Sequence, residues 1–352
     1  YADYKELKED VNTQQTIIAG GNNPIKVVHV NDQGALTTTF ASGDMVFDAF
    51  GKLEVSQSTT IREYQPTTNK MEDEFHEYIV GDASATWLQN KSVVRYYTGT
   101  TLGDSIRRTS NLYHKYQTGV ATTAIFSAYM GPPVVGVMRH LGLFDENDGV
   151  FFDQEDLTMG VNIRSSLSGV VVENRVEQDE WNIDRLDGTG GALNISRVTL
   201  DPTKTQVFFI DFQWLGAGRV RFGFVIDGNP IVCHEFNHAN INTEPYMRTG
   251  TLPLSFEQTN TGTPAQPNYM STITSSVKCE GRFTPKEHIQ AGLSPDIINF
   301  TDDTTFEHLL SLRASETING EDNRSVSLPQ FLDITETSGS TDAYAIEIVK
   351  ND

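Results

Sequence analysis

The sequence predicts an all-β chain, an antiparallel β-sandwich body carrying an extended N-terminal arm. Three observations carry this. From position 75 onward, runs of β-branched and aromatic residues recur about every 10 residues, each closed by Gly, Asn, Asp or Pro. No long segment with a 3.6-residue apolar period interrupts them. Residues 206–247 hold three such runs in succession, separated by Gly216-Ala217-Gly218 and by Asp227-Gly228-Asn229-Pro230. Asp-Gly between two apolar runs is a strong hairpin signal, because tight turns need positive φ. The stretch therefore reads as a three-stranded meander over 207–214, 219–226 and 231–236.

The other elements follow in chain order. Residues 1–74 are polar and lack sustained periodicity. Residues 1–11, rich in Lys, Glu and Asp, read as a short exposed helix, and 19–24 is a breaker. Strand-length runs follow at 25–30, 35–40, 45–50 and 52–56. Such a segment buries little surface alone, so it reads either as an arm lying against another chain or as a linker. The body, 75–352, opens with a strand, a turn at Asn90-Lys91 and a second strand over 86–97. Residues 103–116 are polar and basic. A strongly apolar strand over 120–130 ends at Gly131-Pro132-Pro133, and further runs lie at 134–144, 150–154, 157–165, 169–178 and 193–200. After the meander, 249–268 holds Pro253, Pro264 and Pro267 and reads as a long surface loop around one short strand at 252–256. A half-buried strand is expected over 273–283. Residues 306–313 fit a strand or a helical turn, and 343–349 alternates like a strand. Long strands with wide apolar faces suggest a jelly roll of the concanavalin, lectin-like type.

The bulk numbers exclude several classes. The chain carries 47 Asp plus Glu against 26 Lys plus Arg, a net charge of -21. Such a surface repels phosphate backbones and anionic lipid, which argues against nucleic-acid and membrane-surface partners. No apolar run approaches the roughly 20 residues needed to cross a bilayer as a helix. Cys233 and Cys279 read as two buried thiols rather than a bridge. The chain starts at Tyr1 without Met or a signal-like region, so its N-terminus reads as processed or missing.

Several motifs invite chemistry. His234-Glu235-Phe236-Asn237-His238 matches the zinc-protease pattern H-E-x-x-H, which works on a helix, where both imidazoles share a face. Here it continues a strand, and two histidines four residues apart along a strand stand about 13 Å apart. Residues 177–184 partly match the E-x-D-x-x-E strand of laminarinase-type glycoside hydrolases. Glu177 and Asp179 fit, but Asn182 replaces the final Glu and Asp184 lies two residues further on. In 145–149 the Gly stands at position five, where a calcium loop requires position six. It reads as a hairpin turn, with a weak surface cation site as the alternative. Residues 186–191 lack the Gly-Lys-Ser/Thr of a phosphate loop, and no G-x-S-x-G elbow occurs. The cationic segment Arg107, Arg108, His114 and Lys115, with Tyr113 and Tyr116, is expected either to meet an acidic neighbour or simply to be a solvated edge.

Four motifs in order carry a family resemblance: Asp48-Ala-Phe-Gly-Lys-Leu-Glu-Val-Ser56, Trp181-Asn-Ile-Asp-Arg-Leu-Asp-Gly-Thr-Gly190, Phe222-Gly-Phe-Val-Ile-Asp-Gly228 and Cys233-His-Glu-Phe-Asn-His-Ala-Asn240. They resemble the segments of a family of tailed-phage virion structural proteins, over roughly residues 45 to 315. The resemblance implies a capsid-, neck- or tail-associated component, located in the virion, with a β-sandwich body. Its implied partners are other virion proteins and copies of itself. On this reading the chain is not an enzyme and has no catalytic residue, cofactor or metal. Two alternatives from other classes are a lectin-like module binding host surface glycans and a glycoside hydrolase using Glu177 and Asp179.

Overall fold

The computed structural model describes residues 58–281, together with short strands at Gln15–Ile18, Lys26–Val30, Leu36–Thr37, Thr317–Ile318 and Glu321–Asp322. The chain divides into two compact units, Tyr1–Glu54 and Val55–Asp352. In the first, β1 (Gln15–Ile18), β2 (Lys26–Val30) and β3 (Leu36–Thr37) form an antiparallel sheet, with Gln15 opposite His29 and Val30 opposite Leu36. The helix expected over 1–11, the strand-length runs at 45–50 and 52–56, the strand or helical turn over 306–313 and the strand over 343–349 lie outside the described residues.

The second unit is an antiparallel sandwich. Its first sheet has seven strands in the order β13 (Val172–Glu177), β12 (Thr158–Ser165), β11 (Gly149–Glu155), β10 (Val137–Phe144), β17 (Leu252–Asn260), β8 (Ser105–His114) and β5 (Phe75–Val80). The second runs β16 (Asn229–Phe236), β15 (Val220–Ile226), β14 (Thr205–Phe212), β9 (Thr122–Tyr129), β18 (Asn268–Cys279), β7 (Val93–Thr98) and β6 (Ala83–Leu88). An eighth strand, β4 (Thr59–Tyr64), pairs with β18. The hairpin between 317–318 and 321–322 supplies β19 (Thr317–Ile318) and β20 (Glu321–Asp322).

Local sequence explains much of this. The expected meander is β14–β15–β16, paired in consecutive antiparallel register. Its Asp227-Gly228 turn has φ of 52° and 79° at the two residues, the positive pair that a twisted two-residue hairpin requires. On β9 buried and half-exposed positions alternate strictly, as on a strand with one face in the core. Strands β10, β11 and β12 are instead buried at almost every position. Their buried positions include polar and charged residues, among them Arg139, His140, Asp153 and Asn162. One face of these three strands sends Leu141, Leu143, Val150, Phe152, Val161 and Ile163 into the core between the sheets.

Phe152 is the main interlock. It projects from the first sheet among four phenylalanines of the second, at ring-centroid distances of 6.4 Å (Phe126), 5.1 Å (Phe208), 5.2 Å (Phe222) and 5.2 Å (Phe224). Aromatic contacts at these separations add to area burial of about 1.5–3 kcal/mol per side chain. Phe256 on β17 extends the cluster, meeting Phe126 at 5.9 Å and Tyr96 at 6.2 Å.

The structure corrects three sequence expectations. Residues 252–260 are not a short strand in a surface loop but a nine-residue strand at the centre of the first sheet. Pro253 is tolerated because the register with β8 shifts between Pro253 and Ser255. Residues 193–200 are a loop rather than a strand, for reasons given below. The sandwich also begins before Phe75, since β4 already belongs to its second sheet. Both cysteines are buried thiols, and no disulfide joins them.

Candidate interaction surfaces

The H-E-x-x-H segment lies on and just beyond β16, the terminal strand of the second sheet. Its side chains form a row of rings. His234 and Phe236 are 4.5 Å apart, Phe236 and His238 stack 6.4 Å apart, and His238 stacks on Tyr246 at 4.0 Å. The Phe236 ring thus stands between the two imidazoles, and Glu235 pairs with Arg219 at 3.6 Å. The Nδ1–H of His238 donates to the Gly218 carbonyl at 2.7 Å, while His234 Nδ1 accepts from the Asn182 N–H at 3.4 Å. Burial lowers the pKa of both, that of His234 to about 4. No group of three or more His, Cys, Asp or Glu among the described residues is placed to hold a metal ion.

The Trp181–Gly190 motif explains what that strand needs. An edge strand exposes unpaired N–H and C=O groups to any strand that approaches. Here the Asn182 amide acts as a strand surrogate. Its Nδ2–H donates to the Glu235 carbonyl at 2.9 Å, and its Oδ1 accepts from the Glu235 N–H at 3.0 Å. The N–H groups of Ile183 and Asp184 both donate to the Cys233 carbonyl, at 3.2 and 3.0 Å. Trp181 is fully buried, 6.2 Å from Phe224, and anchors the segment in the core. Asp184 is the buried hub of the following loop, accepting from Leu186 N (3.0 Å), Asn194 Nδ2 (2.8 Å) and Ser196 N (2.8 Å). Residues 193–200 are committed to this hub, which is why they form no strand although their apolar residues recur. Leu186, expected only as part of a polar loop, is itself fully buried.

The other candidates are also spent on structure. Glu177 ends β13 and pairs with Arg175 at 2.6 Å, whereas Asp179 sits in the following 3-10 turn. The two carboxylates therefore do not share a strand face as the E-x-D pattern expects. Asp145 Oδ1 accepts the N–H groups of Asn147 and Asp148 across its own turn, at 2.8 and 2.9 Å. Asp148 is fully buried and accepts from Arg248 N at 3.1 Å and Ser166 N at 3.4 Å, so this turn is a structural corner rather than a surface cation site. Asp187 caps its own loop, accepting from Thr189 N and Oγ1 at 2.9 and 2.7 Å. The cationic segment is β8, whose alternation sends neighbours to opposite faces. Arg107 pairs with Glu146 at 2.6 Å and Arg108, buried, with Glu77 at 3.2 Å. His114 is buried between the Tyr64 hydroxyl (3.0 Å) and the Leu252 carbonyl (3.1 Å), and burial lowers its pKa to about 4. It is not a cationic patch.

One constellation escaped sequence reasoning. Strand register lines up Tyr78, Arg107, Glu257, His140, Asp153, Gly160 and Glu177 across the first sheet, on the face turned away from the core. Arg175 bridges Asp153 (2.8 Å), Glu155 (3.6 Å) and Glu177 (2.6 Å), and Arg164 pairs with Glu173 at 2.7 Å. Arg164 also lies over Phe144 and Phe151, which pack on His140. Gly160 is required here, since a Cβ would stand 2.9 Å from Asp153 Oδ1. Burial raises the Asp153 carboxyl, with Arg175 and His140 opposing. At Glu257 burial also acts upward, but the hydrogen bond and charge of His140, aided by Arg107 and Arg164, leave it lowered. Carboxylates and guanidinia are matched within this face. The row takes one residue from each of seven strands, so only the register reveals it.

The two edges of the first sheet differ from the β16 edge. β5 and β13 end the strand order. β5 exposes three consecutive apolar residues, Tyr78, Ile79 and Val80 (58% exposed), while at the other edge Val172 (56%) opens β13 and Val170 (68%) and Val171 lie in the turn that leads into it.

No family model matches this chain, and no curated protein matches it. Solved structures give distant similarities. A glycosyl hydrolase family 16 protein from Mycobacterium smegmatis aligns over 62% of this chain and 100% of its own, at 10% identity and a TM-score of 0.40. A legume lectin-like domain from Entamoeba histolytica aligns over 63% and 98%, at 8% identity and 0.36. The receptor-binding domain of botulinum neurotoxin D aligns over 64% and 50%, at 10% identity and 0.37. At these values the similarities carry no functional argument.

Proposed function

We propose that this chain is a structural component of a tailed-phage virion, in the capsid, neck or tail, that acts by assembling with copies of itself and with other virion proteins. The observation that carries this is the exposed apolar residues at both ends of the first sheet, Tyr78, Ile79 and Val80 on β5 and Val170, Val171 and Val172 leading into β13. An exposed apolar edge strand is a template for pairing with another chain unless something covers it. Two unlike edges at opposite ends of one sheet suit head-to-tail contacts, which build rings or fibres. The motifs behind the virion resemblance fit the same reading: Trp181, Asn182, Asp184 and Glu235 hold a sheet edge closed, and His234 and His238 pack as rings.

Sedimentation velocity over a range of protein concentrations tests the proposal. Self-association is expected for the natural chain, and Val80→Lys with Val172→Lys is expected to leave a folded monomer. A natural chain that stays monomeric at every concentration tested rejects assembly through these edges.

A further inference from the structure

The outer face of the second sheet carries a depression of about 320 Å³, lined by Lys91, Val93, Arg95, Tyr129, Thr205, Tyr269, Ser271 and Ile273. We propose that it is a binding site for a carboxylated saccharide residue. This goes beyond the assembly reading, uses the opposite sheet, and stands or falls separately from it.

Register builds the site. Thr86, Arg95, Ser271, Tyr129 and Thr205 form one row across five strands, β6, β7, β18, β9 and β14. Tyr269 precedes Ser271 by two residues and so lies on the same face. The floor is therefore fixed by sheet pairing rather than by loops, which is the preorganisation a small-ligand site needs.

Its electrostatics differ from those of the ion-paired arginines of the sandwich. Arg107, Arg108, Arg164, Arg175 and Arg221 each pair with a carboxylate. The Arg95 guanidinium instead lies 4.1 Å over the Tyr269 ring, and its Nε is buried without a hydrogen-bond partner among the described residues. Lys91 is exposed at the rim. None of the eight lining residues is acidic, in a chain of net charge -21. Two cations without a carboxylate partner among the described residues, on so acidic a molecule, select an anion brought from outside. A carboxylate suits a guanidinium fork through paired charge-assisted hydrogen bonds.

The remaining lining narrows the ligand. Tyr129 and Tyr269, with ring centroids 5.6 Å apart, supply phenol faces and hydroxyls, and Thr205 and Ser271 add hydroxyls. Flat aromatic surface beside hydroxyl groups fits the C–H face and hydroxyls of a pyranose. The volume is at the lower end of the roughly 300–1,000 Å³ of small-ligand sites, which suits one ring rather than an acidic peptide segment.

The test is titration of the full chain with sodium D-glucuronate, N-acetylneuraminate, D-glucose, inorganic phosphate and a short poly-glutamate peptide, read by saturation-transfer NMR. The two acid sugars are expected to saturate at about millimolar affinity, with D-glucose at least about tenfold weaker. Lys91→Gln, at an exposed position and so safe for folding, and Arg95→Gln are each expected to weaken the acid sugars at least about tenfold, with thermal unfolding of the Lys91 variant unchanged. Equal binding of glucose and glucuronate overturns the proposal. So does acid-sugar binding that ignores both substitutions, tighter binding of phosphate or poly-glutamate through Lys91 and Arg95, or no binding at all.

Discussion

The terminal strand of the second sheet and the terminal strands of the first solve the same problem in opposite ways. At β16 the backbone meets the Asn182 amide and the N–H groups of Ile183 and Asp184. At β5 the strand ends the sheet and shows solvent a run of apolar side chains, and at β13 Val172 and the turn residues Val170 and Val171 before it do the same. The contrast shows that this chain possesses a device for closing an edge and applies it at β16, and not at β5 or β13 among the described residues. A closed edge protects a fold. On the proposed reading, the exposed apolar residues at β5 and at the start of β13 are surfaces for partners.

This comparison can be broken from the closed side first. Trp181→Ala removes the fully buried anchor of the cap and should cost about 3–5 kcal/mol in urea unfolding, with aggregation of the native protein as β16 becomes available.

Acid should open the same cap. The fold holds His234 neutral, with a pKa of about 4 against an ordinary value of 6.5, because it is buried. Its neutral Nδ1 accepts the Asn182 N–H, and a protonated ring cannot. Since the folded value lies below the unfolded one, the stabilisation is complete above pH 6.5 and is lost as pH falls toward and through 4. His234 should account for about 2–3 kcal/mol of the stability lost between pH 7 and pH 4, with His114 and His238 adding to the total, so the fall in the urea midpoint should be smaller by that amount in His234→Gln relative to its own value at pH 7.

Asp184→Asn keeps the size of the hub but replaces one acceptor oxygen with a donor. Leu186 N, Ser196 N and the Asn194 amide then compete for a single oxygen, a loss of about 2 kcal/mol by thermal or urea unfolding. The smallest effect on stability belongs to the open side. Val172→Lys on β13 should change unfolding free energy by less than about 0.5 kcal/mol, because an exposed valine loses little. Its effect should appear instead in the sedimentation coefficient.

The fold was legible where its signals were local. Asp227-Gly228 announces the β15–β16 hairpin because the turn chemistry sits in two adjacent residues. β17 was obscured because Pro253 and the later prolines suggest a loop, whereas the sheet absorbs Pro253 at a bulge. Residues 193–200 misled in the opposite direction: Ile195, which alternation would bury in part, is 77% exposed, and the backbone follows the hydrogen bonds of Asp184. Trp181, Asn182 and Asp184 were visible as a motif, but their work was not, because Asn182 acts on Glu235 more than fifty positions away. The charged face of the first sheet and the Lys91–Arg95 depression were not legible at all. Both are assembled by register across five or more strands, and register is a property of the whole sandwich.

Amide hydrogen exchange at low and high protein concentration tests the central contrast most directly. The β16 amides should be equally protected at both concentrations, while those of Tyr78–Val80 and Val172–Glu177 should slow as concentration rises and the open edges find partners. Exchange at β5 and β13 that is indifferent to concentration, or a concentration dependence confined to β16, would contradict the account.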